Sequence, residues 1–279
     1  MEIGFMQGRL SELVDGKIQA FPWRDWEQEF SLAHQYVFLL MEWTLDQDRL
    51  YENPLMTEAG RERIRALSEA HCVRVLSLTG DCFMQAPFFK QTGDERTRLL
   101  DDLRAVLEAC AESGIRYVLV PLVDNGRIEN AEQERKLLDG LAPLTGFLRA
   151  NAMQIVFESD FPPQRLADFI AALPEDAYGI NYDVGNSAAL GYDPEEEIAA
   201  YGKRIVNVHI KDRVLHGTTV PLGEGNADLP RVFRALKAAG YAGNFILQTA
   251  RARDGDHAAA LSRYRDLVQG WIGQYGLGS

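Results

Sequence analysis

NFILQTAR, residues 244–251, is an apolar run that ends on a carboxamide, Gln248, followed by a hydroxyl, Thr249. Its length and composition suit a buried parallel strand, whose residues need not alternate between apolar and polar. Three earlier runs end the same way: QIVFESD (154–160) on Glu158, INYDVGN (180–186) on Asp183, and IVNVHIKD (205–212) on His209. Working outward, strands are expected at IGFM (3–6), VFLLMEW (37–43), VRVLSL (73–78), YVLVPL (117–122), QIVFE (154–158), GINYD (179–183), IVNVHI (205–210) and NFILQ (244–248), eight in all.

Amphipathic helical segments separate most of these runs. LLDDLRAVLEAC (99–110) puts Leu99, Leu100, Leu103, Val106, Leu107 and Cys110 on one face. In ADLPRVFRALKAAG (227–240), Asp228 can cap the first free amides, Pro230 fits the first turn, and Gly240 can close the end. Eight strand–helix units favour a closed (β/α)8 barrel over a doubly wound open sheet, and no GxGxxG or GxxxxGK[ST] pattern follows the first strand. The 279 residues suit one such unit, and no linker-like stretch interrupts them, so a single domain spanning 1–279 is expected.

The charge balance sets Lys plus Arg at 29 against Asp plus Glu at 41, a net −12, which repels a phosphate backbone and argues against nucleic acid as a partner. No stretch approaches the roughly 20 apolar residues of a membrane span, and MEIGFMQGRL lacks the build of a leader, so a cytoplasmic protein without a membrane partner is expected. Cys72, Cys82 and Cys110 are odd in number and lack paired metal-knuckle spacing; buried free thiols are expected.

In a barrel of this kind, side chains at the C-terminal ends of the strands project into one bowl. The polar residues at those ends are Gln7 and Arg9, Glu42, Asp81, Asp124 and Asn125, then Glu158, Asp183 with Asn186, His209 with Lys211, and Gln248. Glu158 at the end of an apolar strand needs a compensating cation, which could be Arg116 or Arg149. Asp183 taken alone reads equally as a helix cap before Gly185, and His209 as a hydrogen-bonded core residue. Together, a Glu, an Asp and a His on consecutive strands make an oxygen-and-nitrogen set suited to Mn, Mg, Co or Zn.

The series FESD, INYDVGN, VNVHIKD and PLGEGNADLPRVFRALKAAGYAG, with MQGRL and MEWTLD near the start, resembles the xylose isomerase-like barrels. Within them it looks closest to the L-ribulose-5-phosphate 3-epimerase and D-tagatose 3-epimerase branch. The resemblance implies a barrel that holds one divalent metal through Glu, Asp, His and a second Glu on the fifth to eighth strands. The two glutamates would also act as acid–base groups on opposite faces of a ketose or ketose phosphate, and homo-oligomers are the habit of such barrels. Carried onto this chain, the metal set is Glu158, Asp183, His209 and, in place of the second Glu, Gln248.

That substitution matters chemically. An amide oxygen can coordinate a hard cation, but an amide neither accepts nor returns a proton near neutral pH. Glu158 is then the remaining base of an enediolate mechanism, and Lys211, on the same strand face as His209, is a candidate acid or electrostatic stabiliser. Gln7, Arg9, Glu42 and Asn186 are candidates for the substrate wall, and Glu224, in a Gly-flanked loop, reads either as a residue that closes over the substrate or as a surface turn residue. Trp23 and Trp26 in FPWRDW are expected to pack rather than to face a sugar. The alternative to an isomerase or epimerase is a sugar-binding barrel whose catalysis is impaired by Gln248.

Overall fold

Strands that bury both faces must pair every backbone group and be covered by helices, and closing the sheet on itself meets both needs. The computed structural model, which describes residues 1–278, has this arrangement. The barrel strands are β1 (Ile3–Met6), β2 (Leu40–Thr44), β3 (Arg74–Thr79), β4 (Tyr117–Leu122), β5 (Gln154–Ser159), β6 (Tyr178–Asp183), β7 (Ile205–Ile210) and β10 (Asn244–Leu247). They are parallel, and the barrel closes where Ile3, Gly4 and Phe5 pair with Phe245, Ile246 and Leu247. β8 (Asp212–Arg213) and β9 (Thr219–Val220) form a short antiparallel hairpin outside the barrel.

Helices fill the connections: α1 (Gln28–Gln35), α2 (Glu58–His71), α3 (Asp81–Gln85), α4 (Gly93–Ser113), α5 (Ala131–Leu141), α6 (Thr145–Ala150), α7 (Pro163–Ala171), α8 (Val184–Leu190), α9 (Pro194–Tyr201), α10 (Leu229–Ala238) and α11 (His257–Tyr275). α4 buries Leu99, Leu103, Val106, Leu107 and Cys110 of the face its periodicity predicts, while Leu100 is half-buried. The cap expected for α10 is also present, with Asp228 accepting from Arg231 N at 3.1 Å and Gly240 at φ +75°. The main core lies between sheet and helices, while Met6, Leu40 and Ile246 form a separate small cluster with Leu76. Gly4 has no room for a side chain: a Cβ there would lie 2.7 Å from Leu40 O.

Two expectations are corrected. The run at 37–43 does not start a strand at Val37, which is 67% exposed at φ +61°. Instead, Tyr36 N and Phe38 N bond back to Leu32 O and Ala33 O, so the segment ends α1, and Phe38 packs edge-on against Phe5 before β2 starts at Leu40. All three cysteines are free, but Cys72 is exposed at the left-handed end of α2; only Cys82 and Cys110 are buried. Trp23 and Trp26 pack as expected, around Phe21, with Trp26 also against Trp43.

Candidate metal centre

Alternation along a strand decides which side chains face the barrel axis. Asn181 and Asp183 share one face of β6, and Asn207 and His209 share one face of β7; the pairing sets Asn181 beside Asn207 and Asp183 beside His209. Glu158 is the penultimate residue of β5, next to Pro121 of β4. The result is a buried group in which one ligand atom each from Glu158, Asp183 and His209 lie within 4.8 Å of one another.

The imidazole orientation follows from its two partners. His209 Nε2 lies 2.7 Å from Glu42 Oε1, and Glu42 also accepts from Asn207 Nδ2 at 3.1 Å. A proton on Nε2 satisfies that contact and leaves the Nδ1 lone pair directed at Glu158 Oε2 (3.4 Å) and Asp183 Oδ2 (4.0 Å). Nδ1 is buried without a hydrogen-bond partner. Burial pulls the His209 pKa down, but the charges of Glu42 and Glu158 outweigh it and raise the value to about 10. Two carboxylates and a lone pair around one point favour a cation there, a proton or a metal ion, and the donor set is that of a hard or borderline divalent metal.

Glu158 has neither Arg116 nor Arg149 as its counter-charge; Arg149 pairs with Asp176 at 2.7 Å. Its oxygens accept instead from Asn186 Nδ2 (2.5 Å) and Asn181 Nδ2 (3.0 Å). Asp183 does cap α8, accepting from Asn186 N at 2.8 Å through Oδ1, and its Oδ2 is the oxygen turned to the centre. Lys211 Nζ sits 3.2 Å from each of Asp183 Oδ2, Asn186 Oδ1 and Gln248 Oε1. The Gln248 carbonyl therefore serves Lys211, while its Nε2 donates to Gln19 Oε1 at 2.8 Å.

Glu158, Asn186, Lys211 and Gln248 open on a cavity of ≈ 280 Å³ at the C-terminal ends of the strands, whose lining also includes Asp81 and Arg213 but not Asp183 or His209. Of the expected substrate wall, Asn186 lines it; Gln7, Arg9, Glu42 and Glu224 do not. Gln7 is fully buried, joining β1 to β2 through Thr44. Arg9 braces the loop after β1 by donating to Ile18 O at 2.7 Å and Gln19 Oε1 at 3.4 Å. Glu42 acts on His209 from behind.

Glu224 is on the surface, paired with Arg253 at 2.8 Å. Its loop is pinned rather than poised to close: buried Asp212 accepts from Gly223 N, Gly225 N and Ala227 N at 2.8 to 3.0 Å.

Sequence reasoning missed Gln19, Arg213, Asn181 and Asn207 as members of the site, and it placed Asp81 at a strand end without giving it a role. For Asn181 and Asn207 the signal was there, because each stands two residues before a candidate ligand and so shares its face. Gln19 carries no such signal, since it reaches the cavity from a loop.

Comparison with known proteins agrees with this geometry. The profile of the xylose isomerase-like TIM barrel family matches residues 30–267, and the chain belongs to that family. A curated relative is L-ribulose-5-phosphate 3-epimerase UlaE of Escherichia coli (strain SMS-3-5 / SECEC), 27% identical over 264 residues that cover 90% of this chain and 92% of that protein. Among solved structures, the fold matches the IolI protein with a bound zinc atom at TM-score 0.74 and 19% identity, covering 99% of each chain. It also matches a xylose isomerase-like TIM barrel protein of Mycobacterium smegmatis in complex with magnesium, at TM-score 0.70 and 16% identity over 98% of this chain and 97% of that one.

Proposed function

We propose that the chain is a divalent-metal-dependent isomerase or epimerase acting on a ketose or ketose phosphate, with proton transfer at a carbon next to the carbonyl. The observation that carries this reading is the buried convergence of Glu158, Asp183 and the unpartnered Nδ1 of His209, with Glu158 also lining the cavity. Glu158, Asp183 and His209 would hold the ion, with Gln248 a neutral oxygen donor at the edge of the set. A bound divalent ion supplies Lewis acidity that polarises a carbonyl and stabilises negative charge developing on its oxygen.

The chain's own groups do the rest. Glu158, held by Asn181 and Asn186, is the base that takes the carbon-bound proton. Lys211, fixed by three acceptors, adds a positive charge beside the developing enediolate, and Arg213 holds Asn186 in place by donating to its Oδ1 at 2.8 Å. Relatedness to a curated ribulose-phosphate epimerase supports the substrate class.

The test has two parts. Titration with Mn, Mg, Co and Zn should show one saturable site that is lost in Asp183→Asn. Incubating free and phosphorylated ketoses with the Mn-loaded protein in deuterated water should then label a carbon adjacent to the carbonyl. A bound metal with no labelling across the panel would favour a sugar-binding barrel that has lost catalysis, the reading to which the neutral Gln248 lends support.

A further inference from the structure

Inverting a carbon centre through a planar intermediate needs a proton removed on one face and returned on the other, and Gln248 can do neither. Asp81 is a carboxylate in the same cavity to which no role has been given. It follows Thr79 and Gly80 at the end of β3, is 6% exposed, and lines the cavity together with Glu158. Strands β3 and β5 flank β4: Thr79 pairs with Leu119, and Pro121 pairs with Glu158. With neighbouring strands about 4.8 Å apart, roughly 10 Å separates the two strand ends, which leaves room for one substrate carbon between two inward-leaning carboxyl groups.

What holds Asp81 is as telling as where it stands. No Lys or Arg pairs with it among the described residues. Its Oδ2 accepts from the neutral amide Gln19 Nε2 at 2.5 Å, and no donor among the described residues meets Oδ1. Gln19 is held in turn by Gln248 Nε2, and Gln248 by Lys211 Nζ. Each amide in this chain accepts on one side and donates on the other. A carboxylate at position 248 could accept from Lys211 but not donate to Gln19, so the carboxamide is the side chain that completes the support of Asp81.

Resting on the function proposed above, we infer that Asp81 is the second acid–base residue, working with Glu158 on the opposite face of the substrate carbon. Glu158 takes the proton as the C–H bond breaks and its electron pair moves onto the carbonyl oxygen. Asp81, in its acid form, gives its proton to the other face of the same carbon as the electron pair returns and the carbonyl re-forms. The inverted product leaves Glu158 protonated and Asp81 ionised, and exchange with water resets both. Burial, with Asp46 and Glu158 adding negative charge against the Gln19 hydrogen bond and the more distant Arg9, raises the Asp81 pKa to about 7, so the acid form is present near neutrality.

The experiment follows wild type, Asp81→Asn, Asp81→Glu and Glu158→Gln, all Mn-loaded, against free and phosphorylated ketoses in deuterated water, reading label uptake and inverted product separately. Asp81→Asn keeps the Gln19 contact; it is expected to lose inverted product at least 100-fold while still taking up label through Glu158. Asp81→Glu should restore part of the inversion, and Glu158→Gln should lose both readouts. Three results overturn the assignment alone: inversion by Asp81→Asn at the wild-type rate, label uptake by wild type without inverted product, or joint loss of Mn binding and label uptake in Asp81→Asn. A wild type that binds Mn and labels no ketose removes the proposed function, and this assignment with it.

Discussion

His209 shows how one side chain is given a direction. Its ring carries a hydrogen bond to Glu42 on one side and turns Nδ1 towards Glu158 and Asp183 on the other, so the residue that orients the ring is on β2, far from those carboxylates in sequence. Glu42→Gln should weaken Mn binding about 10- to 100-fold in a calorimetric titration, with the fold unchanged by circular dichroism. Because Glu42 and Glu158 raise the His209 pKa to about 10, an incoming ion must displace a proton at neutral pH. Mn affinity should therefore rise with pH between 6 and 8, by up to about tenfold per unit, and an affinity flat across that range would show that His209 is not a ligand. Gln248→Glu adds a negative charge next to Lys211 and Asp183 and should tighten Mn binding; an unchanged titration would place position 248 outside the ion's reach.

At the scale of elements, apolar runs and helix caps made much of the barrel readable. β4 and β7 fall on the predicted residues, and Asp228 and Gly240 bound α10 as expected. The start of β2 was not readable, because an apolar run serves equally as a strand or as the seal on the end of α1. The loop after β9 reads two ways in sequence for a related reason, and the structure has the surface turn. Glycines flanking Glu224 suggest mobility, whereas Gly225 is required because Asp212 lies beneath it: a Cβ there would come 2.1 Å from Asp212 Oδ1. Asp212→Ala removes the acceptor for three backbone amides and should destabilise the fold by about 2 kcal/mol in urea unfolding, with greater protease sensitivity at residues 221–227.

For the whole molecule, an ion held by Glu158, Asp183 and His209 would be thermodynamically linked to the fold, since that donor set exists only when β5, β6 and β7 are in register. Mn at about 100 times its dissociation constant should raise unfolding free energy by about 2.7 kcal/mol, seen as an increase in Tm that EDTA reverses. Asp183→Asn should abolish most of that increase.

Sequence alone determined the barrel and singled out the candidate trio Glu158, Asp183 and His209, because these residues stand near the C-terminal ends of three consecutive strands, a repetition that survives without coordinates. Tertiary structure decided the roles of the other groups. Gln19, Glu42 and Asp81 come from separate connections or strands, and nothing local tells which will reach the cavity, brace a ligand or stay apart from it. Hydrogen-bond direction is set by whatever stands opposite, and for these residues the opposite partner is tens to hundreds of positions away in the chain. Closing the cylinder is the physical step that supplies it.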